Sequence, residues 1–80
     1  MRLDKFLKVS RIIKRRTVAN DACDGSHIFV NGRAAKASYD VKPGDEVEIK
    51  FGSRSMRVRV TDTREHVRKE EADGMYEVIE

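Results

Sequence analysis

The residues best suited to chemistry are a cluster of cations at the start of the chain. The first sixteen residues carry seven basic side chains against one acid, Asp4, whereas all 80 residues together have a net charge of only +3. Such a cationic segment, joined to a slightly acidic remainder, indicates a binding surface for a polyanion, because its cations can hold phosphate oxygens. The candidate RNA-binding residues are Arg2, Lys5, Lys8, Arg11, Lys14, Arg15 and Arg16.

Other kinds of chemistry have little support in the sequence. Cys23 is the only cysteine, which rules out an internal disulfide, and its place among apolar helical positions favours a small buried hydrophobe. His27 and His66 fall in different predicted elements, with no cysteine or acid at metal-ligand spacing between them. Neither histidine has local support as the base of a catalytic triad. We therefore expect no catalytic residue, no metal site and no cofactor, and hence no enzyme.

Two helices must position the cations. Apolar residues three and four apart predict an amphipathic helix from Leu3 with a basic side, and a second helix over 15–24 that Gly25 ends. Residues 10–14 connect the two helices. In the first turn of helix one, Asp4 is expected to favour the helix dipole and to brace a neighbouring Arg or Lys.

The second helix begins with two arginines, Arg15 and Arg16. Unpaired backbone N–H groups and the positive end of the helix dipole lie at this point and attract phosphate as well. The charge argument and the sequence motif described below both select Arg2 and Arg16, which are therefore the first positions to test. Phosphate contacts give affinity and salt dependence, but they do not select a sequence.

After Gly25 the apolar period changes to two, which predicts strands. His27 to Val30 is followed by Asn31-Gly32, a dipeptide typical of tight hairpin turns, and by a short return strand to Lys36. Further strands are predicted over Glu46–Phe51, Met56–Val60 and Met75–Ile79, with turns at 41–45 and 52–53 and a polar loop or short helix over 61–74. These elements predict an α+β fold, in which two N-terminal helices pack on a small, mostly antiparallel sheet.

The size and apolar content limit what the chain can do. Eighty residues without tryptophan favour one small domain over residues 1–80, with little room for a deep substrate cavity. The sequence has no apolar run long enough to span a bilayer and no signal-peptide pattern, which predicts a soluble cytoplasmic protein without a membrane role. The apolar pattern assigns Phe6 and Phe51 to the core, leaving no exposed aromatic platform for unpaired bases. We therefore expect a folded RNA, recognised through its backbone and 2′-hydroxyls.

Four sequence pieces in order resemble the S4 RNA-binding domain family. They are the opening Arg2-Leu3-Asp4-x-x-Leu7, the arginine-rich start of helix two, the hairpin Gly25-x-x-Ile28-x-Val30-Asn31-Gly32 and the turn Val41-x-Pro43-Gly44-Asp45. The resemblance is strongest over residues 2–51, and it implies the family's αL motif of two helices beside a sheet. The size, the opening residues and the stretch KASYDVKPGD are similar to the RqcP-type members, which are short relatives of a fifteen-kilodalton ribosome-associated heat-shock protein.

The resemblance implies a role in bacterial ribosome-associated quality control. RqcP-type proteins bind an obstructed large ribosomal subunit at ribosomal RNA and peptidyl-tRNA, and they support untemplated alanine tailing by the partner RqcH. We accordingly expect a monomeric binding factor that works on the same subunit as an RqcH-type tailing factor. Two alternatives remain open: a ribosome-assembly or general rRNA-binding protein that uses the same face, and a basic module that docks an acidic protein.

Overall fold

Two helices pack against one five-stranded antiparallel sheet in the computed structural model, which describes residues 1–65 and 67–79. The predicted α+β class is therefore confirmed. Among the described residues, no helix has the length and apolar character needed to cross a membrane. The helices are α1 (Leu3–Val9) and α2 (Arg16–Asp24), the strands are β1 (Ile28–Val30), β2 (Arg33–Ala34), β3 (Glu46–Phe51), β4 (Arg54–Val60) and β5 (Tyr76–Val78), and a 3₁₀ helix (Lys69–Met75) precedes β5.

The sheet has the order β2-β1-β3-β4-β5, with every neighbouring pair antiparallel. The β1–β2 hairpin turns at Asn31 and Gly32, whose φ angles of 52° and 85° lie in the left-handed region that this tight turn requires. β2 ends at Ala34, two residues earlier than the predicted return strand, and β1 begins one residue later than predicted. The predicted hairpin is confirmed in its position and shortened in its length.

The core lies between the helices and one face of the sheet. Leu3, Phe6 and Leu7 of α1 are completely buried, as the spacing predicts. From α2, Ala19 and Cys23 point inward, one helical turn apart. The alternating residues of the two longest strands meet these side chains from the sheet, namely Val47, Ile49, Val58 and Val60.

Phe51, which was predicted to be buried, is 49% exposed. Val18 of α2 is also exposed, at 50%. Phe51 is the last residue of β3 and pairs with Arg54 beside the turn at Gly52, where the strand leaves the core. Because of this, the expectation that no aromatic side chain is exposed was wrong.

The charged segment before β5 contributes two buried residues to the fold. Ala72 and Met75 of the 3₁₀ helix are each only 1% exposed, although most of their neighbours are charged. The backbone N–H of Thr61 donates to the carbonyl of Met75 at 2.9 Å, which ties the end of β4 to this helix. Two buried side chains and a backbone hydrogen bond to the end of β4 therefore attach this segment to the rest of the domain.

Candidate RNA interface

A buried carboxylate lies at the centre of the basic face. The side chain of Asp4, in the first turn of α1, is 3% exposed. Its Oδ1 accepts hydrogen bonds from Arg2 Nε at 3.1 Å and from the backbone N–H of Lys5 at 2.8 Å. Its Oδ2 accepts from Arg16 Nε at 3.4 Å, Asn20 Nδ2 at 3.2 Å and Arg2 Nη2 at 3.4 Å. The predicted bracing role of Asp4 is confirmed, and we call its two arginine partners the arginine pair.

The packing of the two helices explains why these groups meet. Arg16 is the first residue of α2, and Asn20 follows one turn later on the same face, which the spacing of four residues requires. Arg2 immediately precedes α1 with an extended backbone, so that its side chain returns over the first turn of that helix. As a result, α1 supplies the carboxylate, and both ends of the 2–16 segment supply guanidinium groups to it.

A distant part of the chain fixes the start of α1. Arg2 forms an isolated antiparallel bridge with Asp40, and the N–H of Leu3 donates to the carbonyl of Tyr39 at 2.8 Å. The N–H of the following residue donates to Ala37 O at 3.2 Å. Free N–H groups at a helix start normally need such partners. Here segment 37–41 supplies them, and in doing so it sets the backbone position of Arg2.

The electrostatics of the cluster keep its carboxylate charged. Burial alone would raise the pKa of Asp4, but hydrogen bonds from Arg2, Asn20 and Arg16 outweigh burial and hold the pKa below its usual value. The two arginine side chains remain about half exposed, at 51% and 47%. Since Nε of Arg16 is the nitrogen that contacts Asp4, its two Nη groups can face a ligand. The arrangement therefore offers two oriented guanidinium groups to phosphate oxygens.

Four further cations surround the connection between α1 and α2, and we call them the connector cations. All four are exposed, and no carboxylate within residues 1–65 and 67–79 lies within ion-pair distance of them. Their charge is therefore available to a polyanion, because no ion pair with a carboxylate of the described residues neutralises it. The connector cations are Lys8, Arg11, Lys14 and Arg15.

Lys5 differs from the other candidates. It is partly buried, and its Nζ lies 3.7 Å from Oε2 of Glu65, in the segment that follows β4. Glu65 is 67% exposed, so the pair contributes little to stability. It does, however, place a carboxylate next to one predicted RNA-binding lysine, which the sequence pattern did not indicate.

Comparison with known proteins identifies the family to which this face belongs. The sequence profile of the S4 domain matches residues 1–47. The RQC P-site tRNA stabilizing factor of Bacillus subtilis is 53% identical over 79 residues, covering 99% of this chain and 92% of that protein. The factor of the same name from Halalkalibacterium halodurans is 58% identical over 78 residues, covering 98% and 89%. The chain belongs to the S4 domain family, as an RqcP-type member.

The S4 fold is also present in a solved structure of the Vibrio cholerae Heat Shock Protein 15, described as trimeric. It superimposes on this chain with a TM-score of 0.90 at 28% identity, covering 98% of this chain and 80% of that one. The region matched by the S4 profile comprises α1, α2, β1, β2 and the first two residues of β3.

One residue of the basic face, Asn20, was not predicted from the sequence. Asn20 donates to Asp4 and so helps to hold the carboxylate to which Arg16 binds. Its signal was available, because Asn20 lies four residues after Arg16 on a predicted helix. What the sequence could not show is that both residues point at α1 instead of solvent.

The single cysteine of this S4 protein is buried beneath α2. Cys23 is 3% exposed, and burial, followed by the negative charges of Asp4 and Asp24, raises the pKa of its thiol to about 11. A thiol with such a pKa stays protonated and weakly reactive near neutral pH. The prediction that Cys23 is a small buried hydrophobe is confirmed.

Proposed function

We propose that the arginine pair and the connector cations bind RNA phosphates on an obstructed large ribosomal subunit, and that they stabilise a peptidyl-tRNA in its P site. The name shared by the curated relatives supports the tRNA part of this proposal. One domain over residues 1–80 would act as a monomeric, cytoplasmic binding factor without catalysis of its own. In this role it would keep the tRNA in place while an RqcH-type partner adds alanine residues to the nascent chain.

The single observation that carries the proposal is that the buried carboxylate of Asp4 pairs with two half-exposed arginines. Asp4 contacts Arg2 at Nε and one Nη, and Arg16 at Nε, while the rest of each guanidinium can face solvent. A phosphate can then bind without first ordering a long side chain, an ordering that would otherwise weaken the complex. Fixed positions also allow two phosphates of particular spacing to be selected, as the shape-based recognition of folded RNA requires.

The connector cations supply the second half of the binding mechanism. They are exposed and unneutralised, so they contribute long-range attraction and contacts that weaken as salt displaces them. With the arginine pair near the start of α1 and the connector cations near its end, the basic face follows the length of α1. We propose that this length lets one domain contact ribosomal RNA and the tRNA together.

The test is co-sedimentation with purified large subunits that carry peptidyl-tRNA, comparing Arg2→Ala, Arg16→Ala and the wild type. Each substitution is expected to weaken binding at least tenfold and to reduce the salt dependence of binding by about one phosphate contact. The free energy of unfolding should fall by about 1 to 2 kcal/mol, because each substitution removes one or two hydrogen bonds from Asp4 and both arginine side chains are about half exposed.

Arg33→Ala provides a matched control, since it removes the same charge from the exposed strand β2. It should bind like the wild type. Equal binding by all three variants would contradict the proposed face. A pull-down of the tagged wild type from cells separates the two roles: peptidyl-tRNA on free large subunits supports quality control, whereas immature subunits without tRNA would support a role in assembly instead.

A further inference from the structure

An apolar groove lies beside the connector cations. It encloses about 320 Å³, and its walls include Ile12 and Ile13 of the connection, Val18 of α2 and Phe51 at the end of β3. Val18 and Phe51 are two of the four large apolar side chains that the described residues expose. Exposed apolar surface concentrated at one place commonly marks a binding site.

Cations adjoin the groove on two sides. Ile12 and Ile13 lie between the connector cations Arg11 and Lys14 in the sequence. On the opposite wall, Phe51 pairs across the hairpin with Arg54, an exposed residue on the same face of the sheet. No carboxylate of the described residues lines the groove.

The side chain of Lys50 points away from the groove, because Lys50 alternates with Phe51 along β3. Its Nζ lies 4.5 Å from the centre of the Phe29 ring, on the outer face of the sheet. The groove therefore has an aromatic and aliphatic interior, with Arg54 opposite Phe51 on one wall and two connector cations next to the isoleucines of the other wall in the sequence. A planar, uncharged group that is linked on both sides to anions matches this arrangement, and a nucleotide within an RNA strand is such a group.

We propose that the groove binds one unpaired nucleobase of the RNA, stacked on Phe51, while the neighbouring phosphates contact Arg54 and the connector cations. This inference rests on the proposed function, because it extends the same RNA surface around the end of the helices. It adds base stacking to a face that otherwise recognises only the backbone. An acidic protein segment with an apolar anchor is the rival occupant.

The affinity test separates the aromatic ring from the apolar bulk. Phe51→Leu keeps an apolar side chain at an exposed position, so the fold should be maintained, whereas Phe51→Trp keeps an aromatic face. With large subunits carrying peptidyl-tRNA, we expect Phe51→Leu to weaken binding about 10-fold, within the roughly 5- to 150-fold range for one lost base stack. Phe51→Trp should stay within about twofold of the wild type, as should Val78→Ala, which alters another exposed apolar residue.

A cross-linking test identifies the occupant. Benzoylphenylalanine placed at position 51, and at position 78 as the control, is irradiated in the same complex. A cross-link from position 51 to a nucleotide supports the proposal, whereas a cross-link to a protein, or none at all, overturns it. If Phe51→Leu binds like the wild type while Arg16→Ala binds more weakly, base binding in the groove is refuted and the proposed function is not. If the wild type itself does not bind the subunits, the proposed function fails as well.

Discussion

Replacing Asp4 by asparagine tests whether the carboxylate organises the basic face. The two side chains have nearly the same shape, but the amide has one acceptor oxygen where the carboxylate has two. In the wild type, Oδ1 accepts two hydrogen bonds and Oδ2 accepts three. Whichever way the amide is turned, its NH₂ group meets at least two N–H donors, so at least two hydrogen bonds are lost.

The loss of stability follows from these contacts. Two hydrogen bonds are worth about 1 kcal/mol each, and the loss of a buried negative charge adds to this. The charge contribution is small because both arginines are about half exposed and can be hydrated. We therefore expect Asp4→Asn to lower the free energy of unfolding by about 2 to 3 kcal/mol, and the melting temperature by about 10 to 20 °C in a domain of this size.

The effect on RNA binding is the sharper part of the prediction. Removing an acid raises the net charge from +3 to +4, which by itself would strengthen binding to any polyanion. We expect the opposite result, an affinity for large subunits about tenfold lower, because the guanidinium groups of Arg2 and Arg16 lose the anchor that directs them. Charge and orientation thus predict changes of opposite sign.

The assay is subunit co-sedimentation at a temperature where Asp4→Asn remains folded by circular dichroism. Asp73→Asn is the matched control, since it makes the same charge change at an exposed position of the 3₁₀ helix. It should keep its stability and bind as well as the wild type, or slightly better. If Asp4→Asn binds more tightly than the wild type, net charge governs affinity and the reasoning from oriented arginines is refuted.

Three further outcomes are expected. The difference in the free energy of unfolding between the wild type and Asp4→Asn should become smaller as the pH falls below 3.8. The folded protein lowers the pKa of Asp4, so protonation of this carboxylate removes its stabilising effect. Urea melts of both proteins at pH 2.5 and at pH 7 measure the difference. Native Cys23 should react with a thiol reagent at pH 8 at least about 100-fold more slowly than in urea, since its pKa is about 11 instead of 9.0. Met75→Ala should cost about 2 to 4 kcal/mol in urea melts, a loss that would be absent if the 3₁₀ helix packed loosely.

The sequence predicted the parts of the fold that depend on local spacing. Alternation over β3 and β4 was sufficient because both strands lie against the core for most of their length. The same alternation led to the wrong prediction that Phe51 is buried. The two-residue period of a strand shows which residues share a face, but it does not show where the covering helices end. On α2, the buried stripe is narrow and follows Ala19 and Cys23, which leaves Val18 exposed.

The candidate site was predictable in composition and only partly in geometry. Charge counting selected seven basic residues, the family motif singled out Arg2 and Arg16 among them, and the position of Asp4 in the first helical turn suggested a bracing role. That one carboxylate holds both arginines depends on how α1 and α2 pack, which no local pattern encodes. Likewise, the pairing of Lys5 with Glu65 brings together residues 60 positions apart, and only the folded chain reveals it.

The dependence of α1 on segment 37–41 has a consequence for the order of folding. Arg2 is set in place by a bridge to Asp40, and closing a loop of that length carries an entropic cost that local helix formation does not. The helical hairpin can therefore form early, while the arginine pair reaches its final geometry only after the β1–β2 hairpin and the loop behind it have folded. During synthesis, the domain would acquire its ability to recognise RNA only after segment 37–41 has left the ribosome.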